Sequence, residues 1–198
     1  MPKIVDHEER RREIVEAMWR VVEQAGFAAV SIRSVAAEAG MSKAAIGHYF
    51  PKRSDVIASA VERDIGTVTS ELVELDLDTC TIDVAVAALM VVIPTTEQRR
   101  RHSQVWLSLL AAQDPDPDIS RSLTHLNVTV RVGLMVVLRA FRKQGGVAAS
   151  RDLLVESARL HALVDGLSLQ ALTDPTTMPP GQVETLVRLH LEDLAQPR

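Results

Sequence analysis

SIRSVAAEAGMSKAAIGHYFPKR, residues 31 to 53, is the stretch whose reading decides the fold of this chain. Ser31 offers a side-chain oxygen to the open amides of a short helix. On that helix Ile32, Val35, Ala36 and Ala39 recur along one face. Gly40 ends it, because a residue without a Cβ enters the left-handed conformation freely, and Met41 is the apolar group that packs back over such a turn. Ser42 caps a second helix, predicted from Lys43 to Tyr49, which turns Ile46, Tyr49 and Phe50 inward and leaves Lys43, Ala44, Gly47 and His48 outward. Pro51 stops it, having no N–H and disfavouring helix in the residue before it. Two short helices about a glycine turn fit a helix-turn-helix, whose second helix is sized for the major groove of DNA. The spacing alone fits an ordinary helical hairpin equally well.

The order of the side chains separates these two readings. GMSKAAIGHYFPKRSDVI resembles the recognition-helix region of the TetR family of bacterial repressors through Gly40, Ser42, Lys43, His48, Tyr49, Phe50 and Pro51. The run from Ile46 to Phe50 is similar to the choline-responsive repressor branch of that family. It departs from the family pattern at Ala45 and Gly47, where threonine and tyrosine commonly bind phosphate. The resemblance implies DNA contacts from Arg33, Ser42, Lys43, Ala44, Gly47, His48, Tyr49, Lys52 and Arg53. In that scheme Arg33 and Lys43 stand at the openings of the two helices, and His48 reaches a base or the backbone. The Tyr49 hydroxyl reaches phosphate while its ring stays inward, and Lys52 or Arg53 touches phosphate from the turn. Gly47 costs about 1 kcal/mol of helix propensity relative to alanine, and its missing side chain opens a path for the backbone to approach phosphate.

Beyond this stretch, 46% of the 198 residues are hydrophobic but only 3% aromatic, so the core is built of Ala, Val and Leu. That suits packed helices, and the length suits one large or two small cores. No signal-peptide pattern opens the sequence and no apolar run reaches the roughly 18 residues of a membrane span. The expectation is a cytoplasmic protein with no membrane partner. The single cysteine, Cys80, excludes an intrachain disulfide framework. With no basic neighbour in sequence it reads as a core or loop residue rather than a redox switch.

Net charge opposes the DNA-binding reading, since the formal value is −4 where a small DNA-binding domain is expected to be basic. The excess acid is unevenly placed, however. Residues 1 to 64 hold 10 Lys/Arg and 10 Asp/Glu, while the remainder holds 12 and 16. Binding then rests on a few well-placed basic groups and on two readers acting together.

About nine helices are expected in all. Asp6 and Glu9 form a capping box for the first, with Ile14, Ala17, Met18, Val21 and Ala25 on its apolar face. Arg10, Arg11 and Arg12 on its other faces either reach phosphate or, interleaved with glutamates, remain a solvated surface. Gly26 ends that helix and Phe27 folds back. Ser54 and Asp55 cap a helix over about 55–73, Thr81 or Asp83 the next, and Thr95 with Gln98 the one over 97–112. A DPDPD turn, with Asp116 as cap, opens a long helix to Arg142 or Lys143. Ser150 caps a very apolar helix to about 173, and the Pro179-Pro180 pair starts the last. LVDGLSLQALTDPTTMPPGQVETLVRLHLEDL, residues 163 to 194, also resembles the C-terminal region of the choline-responsive branch.

The fold expected is therefore all-α: a three-helix helix-turn-helix domain over 1–53, then a helical bundle over 54–198 for effector binding and dimerisation. The apolar surface of the last two helices exceeds what one chain is expected to cover. That assigns Leu160, Val164, Leu167, Ala171, Val183, Leu186, Val187 and His190 to a dimer interface. Candidate effector contacts are Met90, Trp106, Leu110, Asn127, Arg131, Leu134 and Met135, together with His161 and Asp165, four apart on one helical face. The same residues serve equally as plain core. The second domain lacks a His-x-x-x-His pair and a Gly-x-Ser-x-Gly elbow, so neither metal nor cofactor nor enzymatic activity is expected. The resemblance implies a one-component repressor that binds a palindromic DNA operator as a homodimer and is released by a small-molecule effector. The rival reading is a helical ligand carrier or protein-interaction module without sequence-specific DNA binding.

Overall fold

The computed structural model describes residues 7–112 and 116–197, with the side chains at positions 98, 105 and 108–112 outside the description. Asp6, the expected first cap, and Leu110, as a side chain, lie outside the described residues. The described residues form nine α-helices and no strand: α1 (His7–Ala25), α2 (Ile32–Glu38), α3 (Lys43–Tyr49), α4 (Arg53–Val73), α5 (Ile82–Val92), α6 (Glu97–Ala112), α7 (Pro117–Lys143), α8 (Leu153–Thr173) and α9 (Pro180–Leu194). Two single 3-10 turns, Phe27–Ala29 and Leu77–Thr79, link α1 to α2 and α4 to α5. The chain is all-helical, as the periodicity predicts.

The helices gather into two compact units, residues 7–64 with 104–112 and 116–124, and residues 65–103 with 125–197. The N-terminal unit follows from its caps. Ser31 accepts from the Ser34 amide while Ser34 reaches back to the Ser31 amide, and Ser42 accepts from the Ala45 amide. Each such cap stabilises its helix by about 1 kcal/mol. Gly40 at φ 64° turns the chain between α2 and α3, and Gly26 at φ 77° releases it from α1. Ile14, Met18, Val35, Ile46, Phe50, Ile57 and Ala60 then interlock in one core. Ile119 from the start of α7 enters that core, and so does Trp106 of α6, whose ring meets Trp19 edge to face at 5.6 Å. The Trp106 indole N–H also donates to Asp64 at 3.0 Å.

In the C-terminal unit α5 packs along α9, burying Ala85, Leu89, Val183, Val187 and Leu191 with Leu134, Leu138 and Phe141 of α7. Cys80 joins this core, and burial raises its thiol pKa. A buried ion network ties the far end: Arg151 bridges Glu156 at 3.1 Å and Asp193 at 3.2 Å, and Arg159 holds the other Glu156 oxygen at 2.7 Å. Beside it His190 is held below its ordinary pKa, first by burial and then by the charge of Arg159.

Several helix starts differ from expectation. Asp152, not Ser150, caps α8 by accepting from the Leu154 amide, because the chain is still turning at Ser150. α4 begins at Arg53, and Asp55 within its first turn accepts from the Lys52 amide. At α6 the oxygen accepting from the Arg99 amide belongs to Thr96 rather than Thr95. α7 is also long and apolar enough to cross a bilayer, with a mean hydropathy of 1.2 over its most apolar window. The expectation that no uninterrupted apolar run reaches the roughly 18 residues of a span is a different criterion, because Arg131 and other polar residues interrupt this stretch.

Candidate DNA-binding site

α3 is seated by its inward residues. Ile46 and Phe50 are fully buried, and Arg11 of α1 closes the helix from outside. Its guanidinium donates to the Tyr49 carbonyl at 2.9 Å, one of the acceptors a helix end leaves open, and stacks 4.2 Å above the Phe50 ring. This fixes the outward face. Ser42, Lys43, Ala44 and His48 are exposed, and a Cβ built on Gly47 would meet nothing within 4 Å. Arg33 is exposed on α2, and neither it nor Lys43 is engaged by a carboxylate among the described residues.

The basic groups of the turn are less free. Lys52 lies 3.6 Å from the Asp118 carboxylate, and Arg53 is half-buried with its guanidinium 4.6 Å above the Phe27 ring. Of the arginine run on α1, Arg10 pairs with Glu13 and Arg12 donates to the Glu8 carbonyl. Tyr49 is half-buried, and two imidazoles flank it: His48 at 5.4 Å and His7, the first residue of α1, at 5.5 Å between ring centroids. Sequence reading passed over His7 and the clamping role of Arg11. Their partners lie about forty positions away, and the one local signal is that His7 and Arg11 are four apart on one face of α1.

The effector candidates are divided between the two units. Trp106 belongs to the N-terminal unit, packed on Trp19, whereas Met90 and Leu134 join the core of the other unit. Asn127 and Arg131 are exposed and Met135 is half-buried. His161 is buried, and its Nε2 lies 3.8 Å from the exposed Asp165 carboxylate. Among the described residues no group of three or more His, Cys, Asp or Glu is placed to hold a metal ion.

The expected dimer residues need correction. Leu160, Val164, Leu167, Ala171, Val183 and Val187 are buried inside their own chain, and Leu186 packs against the same core. His190 is half-buried with its Nε2 enclosed. A helix buried on one face by its own domain offers a partner only the other face. Here that face carries the exposed Leu154, Val155 and Leu169 of α8 and Leu189 of α9.

Residues 14–60 match the family described as bacterial regulatory proteins, tetR family, and residues 82–196 match the BetI-type transcriptional repressor C-terminal domain. The chain belongs to the TetR family. The HTH-type transcriptional regulator PksA of Bacillus subtilis is 30% identical over 98% of this chain and 94% of its own length. A putative transcriptional regulator of Saccharomonospora viridis, solved in complex with choline, is 28% identical at a TM-score of 0.68, covering 94% of this chain and 95% of its own. A regulator from Pseudomonas aeruginosa at 23% identity superposes with a TM-score of 0.80 over 97% and 93% of the two chains, a likeness of fold. This TetR-family protein is a transcriptional regulator of the helix-turn-helix type. Both family matches favour the regulator over the carrier or interaction-module reading.

Proposed function

We propose that this regulator is a cytoplasmic, non-enzymatic repressor. As a homodimer it occupies a palindromic operator with two α3 helices, and it leaves when a small molecule binds. Functionally the chain divides into a reader, 1–53, and an effector and dimerisation region, 54–198. The observation that carries the reading is α3 itself. Its inward side is locked by buried Ile46 and Phe50 and by the Arg11 clamp, while Lys43, Ala44 and His48 are exposed and a Cβ on Gly47 would meet nothing within 4 Å. Such a helix presents a preformed surface to a major groove. α7 is read as an amphipathic helix of the bundle rather than a membrane span, because Leu134, Val137, Leu138 and Phe141 pack inside the chain while Arg131 and Arg139 lie exposed. The effector is assigned only as a small molecule. A quaternary-ammonium cage needs several aromatic rings, and the C-terminal unit holds one, the buried Phe141.

The test is Arg33→Ala with Lys43→Ala, assayed on a mixed-sequence duplex at low salt. Each lost phosphate contact lowers the salt slope of binding by about 1, with helicity and dimer mass unchanged. Unaltered binding by the double variant would remove these side chains from the interface.

A further inference from the structure

The aromatic cluster at the end of α3 points to a DNA contact beyond the recognition helix. His7, His48 and Tyr49 form a closed triangle: His7 to Tyr49 5.5 Å, His48 to Tyr49 5.4 Å, and His7 to His48 6.3 Å between ring centroids. Two elements 41 residues apart in sequence thus bring two exposed imidazoles together on the side of α3 that faces solvent. The register is enforced rather than accidental. Arg11, one turn after His7 on the same face of α1, is pinned to the Tyr49 carbonyl and to the Phe50 ring, so the first turn of α1 is set against the last turn of α3.

Resting on the DNA-binding reading above, we propose that His7 and His48 act as one phosphate-contacting pair, which makes DNA affinity of this regulator rise as pH falls. In helix-turn-helix docking the N-terminal residues of the recognition helix meet base edges, which leaves its C-terminal end, where the pair sits, toward the sugar-phosphate backbone. The ligand chemistry is a DNA phosphodiester. Neutral imidazole offers it one N–H donor; the protonated ring offers two and a positive charge. Among the described residues, the charged or titratable groups nearest the pair in sequence are Glu8, Glu9 and Arg11 on α1, and Lys43, Tyr49 and Lys52 on either side of His48. Arg11 is already committed to Tyr49 and Phe50. In a chain of formal charge −4, two imidazoles that charge on contact add cations where the phosphate lies. By linkage, each proton taken up on binding tightens binding by up to tenfold per pH unit.

The experiment uses the full chain and a labelled mixed-sequence duplex of about 30 base pairs at low salt, titrated by anisotropy at several values between about pH 8 and pH 6. Wild type is expected to tighten by about tenfold or more over that range. His7→Gln and His48→Gln should each remove about half of that gain on a logarithmic scale, and the double variant most of it. His125→Gln, altering an exposed histidine of α7, should leave it intact. His7→Phe keeps a ring against Tyr49 but cannot take a proton. It should lose at most the neutral ring's single hydrogen bond at about pH 8 and fall further behind at pH 6, a widening that a merely structural role for His7 does not produce. A pH gain of wild-type size in the double variant or in His7→Phe overturns the pair. Wild type failing to bind at any pH instead removes the DNA-binding reading on which the pair depends.

Discussion

Arg11 holds the end of α3 by two contacts of different kinds, a charge-assisted hydrogen bond to the Tyr49 carbonyl and a cation–π contact with Phe50. Without it the last turn of a seven-residue helix has an open carbonyl and no lid, and so short a helix depends on tertiary support. Arg11→Met keeps the apolar stem over Phe50 and loses the donor. It should lower stability by about 2 kcal/mol, read from urea unfolding, and weaken duplex binding while leaving its salt dependence alone. A fall in the salt slope would mean instead that Arg11 itself neutralises a phosphate. Nothing in the local sequence distinguishes Arg11 from Arg10 or Arg12, which pair within α1. The difference lies in what stands opposite, and a chain of letters does not carry that.

At the scale of the element, α2 and α3 were legible almost to the residue, because their limits are set within three or four positions. The Ser31 and Ser42 oxygens each accept an amide three residues ahead, and Gly40 takes the positive φ expected of it. α4, α6 and α8 begin where two polar residues compete for one cap, and spacing alone chose the wrong one at Ser150 and Thr95. Gly47 is the unusual choice within α3, since its backbone is ordinary helix and a Cβ there meets nothing. Gly47→Ala should therefore raise stability by up to about 1 kcal/mol. On the proposed docking the same position faces the groove, so duplex binding should weaken several-fold as the added methyl keeps the backbone off the phosphate. A variant that is more stable and binds as tightly as wild type would show that this backbone does not approach DNA.

Across the whole molecule, apolar patterning told which helices are buried but not by what. The buried stripe of α8 and α9 is satisfied inside one chain, so a second copy is left the opposite face, where Leu154 is 72% and Leu189 55% exposed. Exposed leucines grouped on adjacent helices suit a two-fold interface. Replacing Leu169 and Leu189 with glutamate should halve a light-scattering mass near twice 21.7 kDa and leave helicity intact. Leu167→Glu, which buries a charge in the core, should unfold the C-terminal unit. Persistence of the full mass in the Leu169 and Leu189 variant would locate the interface on other helices. The pairing of Trp19 with Trp106 has a practical consequence of its own. These are the only tryptophans in the chain, and the sole tyrosine, Tyr49, belongs to the same unit. Intrinsic fluorescence therefore arises entirely beside the DNA-reading helices, with an indole N–H bonded to Asp64 as a built-in probe of polarity. Unlabelled protein can thus report optically on its own reader, while the C-terminal unit stays dark.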